Sequence, residues 1–316
     1  MKKIKIGSRK SRLALWQSES VAHMMNRRGI ETEIITMDTI GDKKLDTPIA
    51  EIGGKGVFTE EIEAALKHGD LDMAVHSAKD MPSRLPEGFF LIAFTERERA
   101  NDVLVSSADG PSLEDTADPL RIGTSSVRRT ALLKHFYPHV KTVNIRGNLQ
   151  TRIHKMETGE CDALLLAYAG VKRMQYDHMI VRHMPVTQFV PPVGQGSMAV
   201  EVYDSIDANL KAAIRNCVNH APTEVVITAE RAYLKTLQGG CSIPAFAYAR
   251  YVGEAIRLIA GLVSPDGRIL LKEELTGRTE EAAELGEIAG LRILQTGGKE
   301  ILDELHGFTK NEGGTC

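Results

Sequence analysis

The sequence has no long apolar run: stretches such as Ala163 to Ala169 fall far short of the roughly 20 residues a bilayer span requires, so no membrane protein is expected. Cysteine is scarce. Cys161, Cys217, Cys241 and Cys316 include no CxxC pair and no regular spacing, which argues against both a disulfide framework and a structural zinc site. Aromatic residues make up only 5% and the net charge is -3, so neither a stacking platform nor a broad basic surface for nucleic acid is expected. His135 and His139 flank a proline, and His178 and His183 have poor helical spacing, so no metal is expected either. The start, MKKIKIGSRKSRLALWQ, is basic but has no apolar region behind it. It reads as mature structure, and a cytoplasmic location is expected.

What is present is an ordinary soluble composition, 42% hydrophobic and 26% charged over 316 residues, a length that suggests two or three domains. An internal echo organises the first two thirds. Lys5 to Arg12 and Leu120 to Ser126 each read as a strand, a Gly-hydroxyl turn and then a helix. The first of these helices has apolar positions Leu13, Leu15, Trp16, Val21, Met24 and Met25. Each copy then adds a second strand, a helix closed by glycine, and an acidic turn into a further strand, GDLDMAVHS and GECDALLLAYAG. Such alternation predicts two α/β lobes with mainly parallel sheets. Crossings near FTERERAND and PVTQFVPP predict a two-strand hinge. The expected division is 1–98 plus 190–218, then 99–189, then a small α+β domain, 219–316, opened by the helix Thr223 to Leu237.

Several constellations bear chemistry. Ser8 to Ser11 and Thr124-Ser125-Ser126 place hydroxyls and backbone N–H groups at helix starts, beside Arg9 and the pair Arg128-Arg129, as an anion site would. Helix capping with solvated arginines is the bland alternative. Arg146, Arg152 and Arg173 recur just after strands, where ligands of open α/β sheets sit. AVHSAKDMP ends a strand in Ser77, Lys79 and Asp80, which are either an anion-holding cation beside an acid-base carboxylate or an ordinary turn pair. IGGKGVFTEE lacks the spacing of a phosphate loop and reads as a mobile cover containing Lys55 and Phe58. Cys241, in LQGGCSIPAF, follows a helix C-terminus, the wrong end of the dipole for an activated thiolate. It suits permanent attachment better than turnover, or is inert.

IGSRKSRLALWQ, TIGDKKLDTPIAEIGGKGVFTEE, LDMAVHSAKDMP, RANDVLV, IGTSSVRRTALL, NIRGNLQTR, LLAYAGVKRM, PPVGQGSMAVE and AERAYLKTLQGGCSIP occur in this order from Ile6 to Pro244. Together they resemble the hydroxymethylbilane synthase, or porphobilinogen deaminase, family. The resemblance implies a transferase of tetrapyrrole (haem) biosynthesis with two periplasmic-binding-protein-like lobes and a small third domain. It implies one dipyrromethane cofactor per chain, thioether-linked to Cys241. Four porphobilinogen molecules are added to this primer with loss of ammonia, and the linear tetrapyrrole hydroxymethylbilane is released by hydrolysis. Asp80 matches the family's catalytic carboxylate. Arg9, Ser11, Ser77, Lys79, Thr124, Ser125, Ser126, Arg128, Arg129, Arg146, Arg152 and Arg173 match its cofactor- and substrate-carboxylate partners, and Lys55 and Phe58 its active-site loop. A monomer is implied, with its product passing to uroporphyrinogen III synthase. One departure is Phe246, which stands where the family commonly has a glycine free to take positive φ, so the cofactor loop is expected to bend differently.

The rival reading is a two-lobed anion receptor without catalysis, which leaves Cys241 and Asp80 without roles.

Overall fold

The computed structural model describes residues 3–39, 59–107, 112–239 and 243–311. Lys55, Phe58 and Cys241 lie outside them. The chain divides into two compact units, Met1–Glu98 with Gly196–Val225, and Arg99–Gln195 with Val226–Cys316. It opens with β1 (Ile4–Arg9), α1 (Arg12–Asn26), β2 (Thr32–Met37), α2 (Glu60–His68), β3 (Met73–Ser77) and β4 (Phe89–Phe94). The second unit begins with β5 (Asp102–Val105), β6 (Arg121–Gly123), α3 (Val127–Phe136), β7 (Lys141–Val143), α4 (Leu149–Glu157), β8 (Ala163–Ala167), α5 (Tyr168–Arg173) and β9 (Ile180–His183). The chain then returns to the first unit as β10 (Met198–Tyr203) and α6 (Ala208–Val218).

The two units repeat one topology. Their five-stranded sheets have the orders β2-β1-β3-β10-β4 and β7-β6-β8-β5-β9. In each, four strands share a direction. The exception is the strand that follows a crossing between units, β10 or β5, which pairs antiparallel with both neighbours. The echo extends to single hydrogen bonds. Asp72 accepts from Lys5 N at 2.8 Å through its carboxylate, and Asp162 accepts from Arg121 N at 2.8 Å in the same way. Ala78 N after β3 donates to Ser197 O at 3.0 Å, as Tyr168 N after β8 donates to Asn101 O at 3.1 Å. The glycines expected to close two helices, Gly69 and Gly159, take left-handed φ of 79° and 85°.

Ser11 caps α1, its side chain accepting from Ala14 N at 3.3 Å. The face of α1 turned to the core is Ala14, Gln17, Ser18, Val21, Ala22 and Met25. The expected stripe therefore holds for Val21 and Met25 but not at the start. Trp16 is 36% exposed and Leu13 and Leu15 are only half-buried, because small and polar residues carry the 3.6-residue period there. Ile6, Met73, Val75, Val200 and Ile214 complete this core.

Beyond α6, α7 (Ala221–Thr236) leads to the antiparallel sheet β11 (Ala245–Val252), β12 (Ala255–Val263) and β13 (Leu270–Arg278), followed by α8 (Ala282–Ile293) and α9 (Lys299–Asn311). Phe246 sits in β11, 1% exposed, in one core cluster with Leu104, Ile122, Leu132 and Phe189. Its backbone is paired strand, opposite Gly261. Its benzyl side chain fills a site that a glycine would leave empty; the bend expected of the cofactor loop at Cys241 falls outside the described residues.

Candidate functional site

In the first unit, an open cleft forms where the ends of β1 and β3 meet the start of α1. Arg9, Ser11, Leu13, Ala14, Gln17, Thr59, Val75, His76, Ser77, Asp80 and Met81 line it. Of the sequence-predicted residues, Arg9, Ser11, Ser77 and Asp80 are brought together here. After β3 the chain makes a single 3-10 turn, Ala78–Asp80, and Pro82 two residues on has no N–H with which to continue a helix. The turn leaves Asp80 exposed and Lys79 half-buried. Ser77 accepts a 2.8 Å hydrogen bond from Gln17 Nε2, which ties the end of β3 to α1. A guanidinium, a carboxylate, hydroxyls and an amide in one cleft suit a ligand that carries both carboxylates and N–H donors.

In the second unit, Thr124, Ser125 and Ser126 follow β6. Thr124 is buried, its hydroxyl accepting from Ser126 N at 3.3 Å, and Ser126 caps α3 by accepting from Arg129 N. Close packing requires the preceding glycine: a Cβ on Gly123 would lie within 2.8 Å of Ile145, Leu164 and Cys161. Cys161 is buried, and burial pushes its thiol up, away from the reactive thiolate.

Arg128 and Arg129 are only 3% and 6% exposed. Both bind Asp102, Arg128 Nη2 donating to Oδ2 and Arg129 Nη2 to Oδ1, each at 2.7 Å. Arg128 Nη1 also donates to Val190 O at 2.8 Å, and Gln195 Nε2 donates to Asp102 Oδ1 at 3.0 Å. Burial alone would raise the Asp102 carboxyl. The charges of Arg128 and Arg129 outweigh it, with hydrogen bonds from Arg129 and Gln195, and hold the group far below its ordinary range. Burial lowers Arg128 in turn, but guanidinium stays charged. These arginines, expected to be open to a ligand, thus already have a carboxylate partner within the chain.

Arg146 follows β7, and Arg152 on α4 donates from Nε to Gly147 O at 2.7 Å. Arg173 ends α5. All three are half-buried.

Sequence reasoning missed Gln17, His76, Glu201, Asp102 and Gln195. For Gln17 a signal existed: it falls on the core-facing stripe of α1, where a buried amide needs a partner. Asp102 opens an apolar strand, DVLV, and its partners lie 26 and 27 residues away.

A family model described as "Porphobilinogen deaminase, dipyromethane cofactor binding domain" matches residues 4–211, and one described as "Porphobilinogen deaminase, C-terminal domain" matches residues 225–295. The porphobilinogen deaminase of Desulfosudis oleivorans is 53% identical over 302 residues, covering 96% of this chain and 97% of that protein. The porphobilinogen deaminase of Cytophaga hutchinsonii is 48% identical over 304 residues, with 96% and 97% covered, and that of Geotalea uraniireducens is 39% identical over 308 residues, with 97% and 96% covered. With its strand-end carboxylate and arginine-lined cleft lying inside the cofactor-binding domain, the chain belongs to the porphobilinogen deaminase family.

Proposed function

We propose that this transferase of the porphobilinogen deaminase family carries its dipyrromethane as a thioether on Cys241, and that Asp80 is its catalytic carboxylate. The observation that carries the reading is the placement of Asp80, Ser77, Arg9 and Ser11 in one cleft of the first unit. That donor set fits the cofactor: cations and hydroxyls for its acetates and propionates, and a carboxylate for its pyrrole N–H groups. A bound dipyrromethane supplies a nucleophilic pyrrole carbon to which porphobilinogen units add.

The chain's own residues do the rest. Asp80 accepts a hydrogen bond from a pyrrole N–H and stabilises the positive charge that develops as ammonia leaves porphobilinogen. Arg9, Ser11, Ser77 and Lys79 in the first unit hold carboxylates, as do Thr124, Ser125, Ser126, Arg146, Arg152 and Arg173 in the second. The arginines hold them without joining proton transfer, because guanidinium does not deprotonate at working pH. For Arg128 and Arg129 the same role falls to guanidinium N–H groups that Asp102 does not take, since each gives Asp102 a single Nη2 bond. Lys55 and Phe58, outside the described residues, keep the active-site-loop role that the family resemblance implies. The three-domain division drawn from the sequence, 1–98 plus 190–218, 99–189 and 219–316, is kept in this proposal. It is supported by the separate family models on either side of residues 211 and 225 and by the separate sheet β11-β12-β13. A cytoplasmic monomer that passes hydroxymethylbilane to uroporphyrinogen III synthase completes the reading. It is supported by the family, and among the described residues no helix is long and apolar enough to cross a membrane.

The test is the intact mass of denatured protein beside Cys241→Ser. A mass excess of one dipyrromethane that is absent from the variant supports the attachment. An unmodified wild type that gains no mass on incubation with porphobilinogen overturns it.

A further inference from the structure

At the wall of the cleft, in the first unit, a cluster of titratable side chains begins with His76 and is not used by the reading above. His76 on β3 and Glu201 on β10 are 5% and 0% exposed, with Nε2 3.0 Å from Oε2. Apart from that contact, His76 Nε2 and both Glu201 carboxylate oxygens have no hydrogen-bonding partner among the described residues, and Glu63 Oε1 on α2 has none either. Burial pushes the Glu63 carboxyl up, and the neighbouring Glu201 charge adds to this. Within this buried group, His76 Nε2 is the contact that answers the Glu201 carboxyl.

The ladder explains what such a pair does. Ala199 lies opposite His76 and Glu201 opposite Ala74, so the two side chains meet diagonally on one face of the sheet. One step further along, Met198 is opposite Ser77, and Ala78 N donates to Ser197 O, the last bond before the turn that presents Asp80. On its other side β10 offers no such anchor, because its register against β4 shifts between Val200 and Glu201. A slip of one residue along β3 would break the buried pair and turn Ser77 to the opposite face.

We propose that His76 and Glu201, backed by Glu63, act as a positioning pair that locks the β3–β10 register and thereby fixes where Ser77 and Asp80 stand in the cleft. The proposal rests on the role given to Asp80 above. A buried ion pair that specifies register is the best-attested use of such groups.

The test is a double-mutant cycle on the full-length, cofactor-loaded enzyme with porphobilinogen, assayed well below each variant's melting temperature. His76→Asn and Glu201→Gln are each expected to lower kcat about tenfold or more with KM within about threefold. The double variant replaces both titratable groups by amides able to hydrogen bond to each other, so it is expected to recover most of the loss. Singles that lower only the melting temperature, or losses that multiply in the double variant, overturn the proposal. Asp80→Asn, run alongside, reads the other role separately: retained turnover there sinks the reading of Asp80, not the coupling of His76 to Glu201. Should the single variants fail to fold, nitrogen-15 NMR of histidine in the wild type decides. A proton resident on His76 Nε2, as the 3.0 Å approach to Glu201 Oε2 requires, is expected, and an unprotonated Nε2 overturns the pair.

Discussion

Gln17 Nε2 donates to Ser77 Oγ at 2.8 Å, joining the first helix of the chain to the strand end that carries Asp80. Gln17 is 2% exposed, so its amide has little water to fall back on. Gln17→Leu should therefore leave the Ser77 hydroxyl free to turn and cost about 1–2 kcal/mol in substrate binding. Steady-state kinetics with porphobilinogen should show KM rising several-fold. An unchanged KM would mean that the link does not orient the cleft.

The Asp102 network gives stability a pH dependence of definite sign. A carboxyl held below its ordinary 3.8 stabilises the fold fully above that pH, and this contribution is lost progressively as pH falls from there through the lower value of the folded state. Asp102→Asn leaves Arg128 and Arg129 buried without an anion and should cost about 3–5 kcal/mol near neutral pH. The variant should also lose less further stability between about pH 5 and pH 2 than the wild type. Urea unfolding across that range checks both. Coincident curves would show that the ion pairs contribute nothing, and parallel curves offset from one another would show that Asp102 does not titrate differently in the fold.

Phe246→Gly restores the residue common in the family yet should destabilise this chain by at least about 3–5 kcal/mol, the cost of emptying a buried phenylalanine site. The ring is 1% exposed, within the cluster of Phe189 and Leu132. Thermal melting decides: a melting temperature equal to wild type would mean that the site collapses freely.

Gln238 takes a left-handed φ of 53° just past the end of α7, a conformation that costs a side chain about 1–2 kcal/mol and glycine almost nothing. Gln238→Gly should raise stability by about 0.5–1 kcal/mol after allowing for the greater freedom of glycine in the unfolded chain. Gly239→Ala should lower it, because the new methyl would meet the Ile243 side chain. Melting temperatures moving in opposite directions confirm the geometry of this helix end. A fall for Gln238→Gly would contradict it.

The sequence made the strand-turn-helix echo and the order of motifs legible because both are local: Gly-hydroxyl turns, closing glycines and acidic turns sit within a few residues of the elements they shape. The cleft set of Arg9, Ser11, Ser77 and Asp80 was legible for the same reason. What stayed hidden depends on long-range pairing. Arg128 and Arg129 look like free cations until β5 enters the sheet antiparallel and brings Asp102 to them. His76 and Glu201 are separated by β4 and by the whole excursion into the second unit, so no window of sequence holds them together. On α1, an apolar count favoured Leu13, Leu15 and Trp16. The structure uses Ala14, Gln17 and Ser18, since a helix resting close on a sheet needs small side chains at the contact.

The insertion of β10 between β3 and β4 dictates an order of events during synthesis. When the ribosome has delivered residues up to Glu98, β3 and β4 exist but have no common neighbour, and two strand edges face the slot between them. The sheet of the second unit, from β5 to β9, has all its strands by His183, before the first residue of β10 emerges. The amino-terminal half must therefore wait with an open sheet while the later one closes. The turn that presents Asp80 receives its bond to Ser197 only at the end of that wait, so a chain stalled before Gly196 is left with an unpaired, aggregation-prone edge beside that turn.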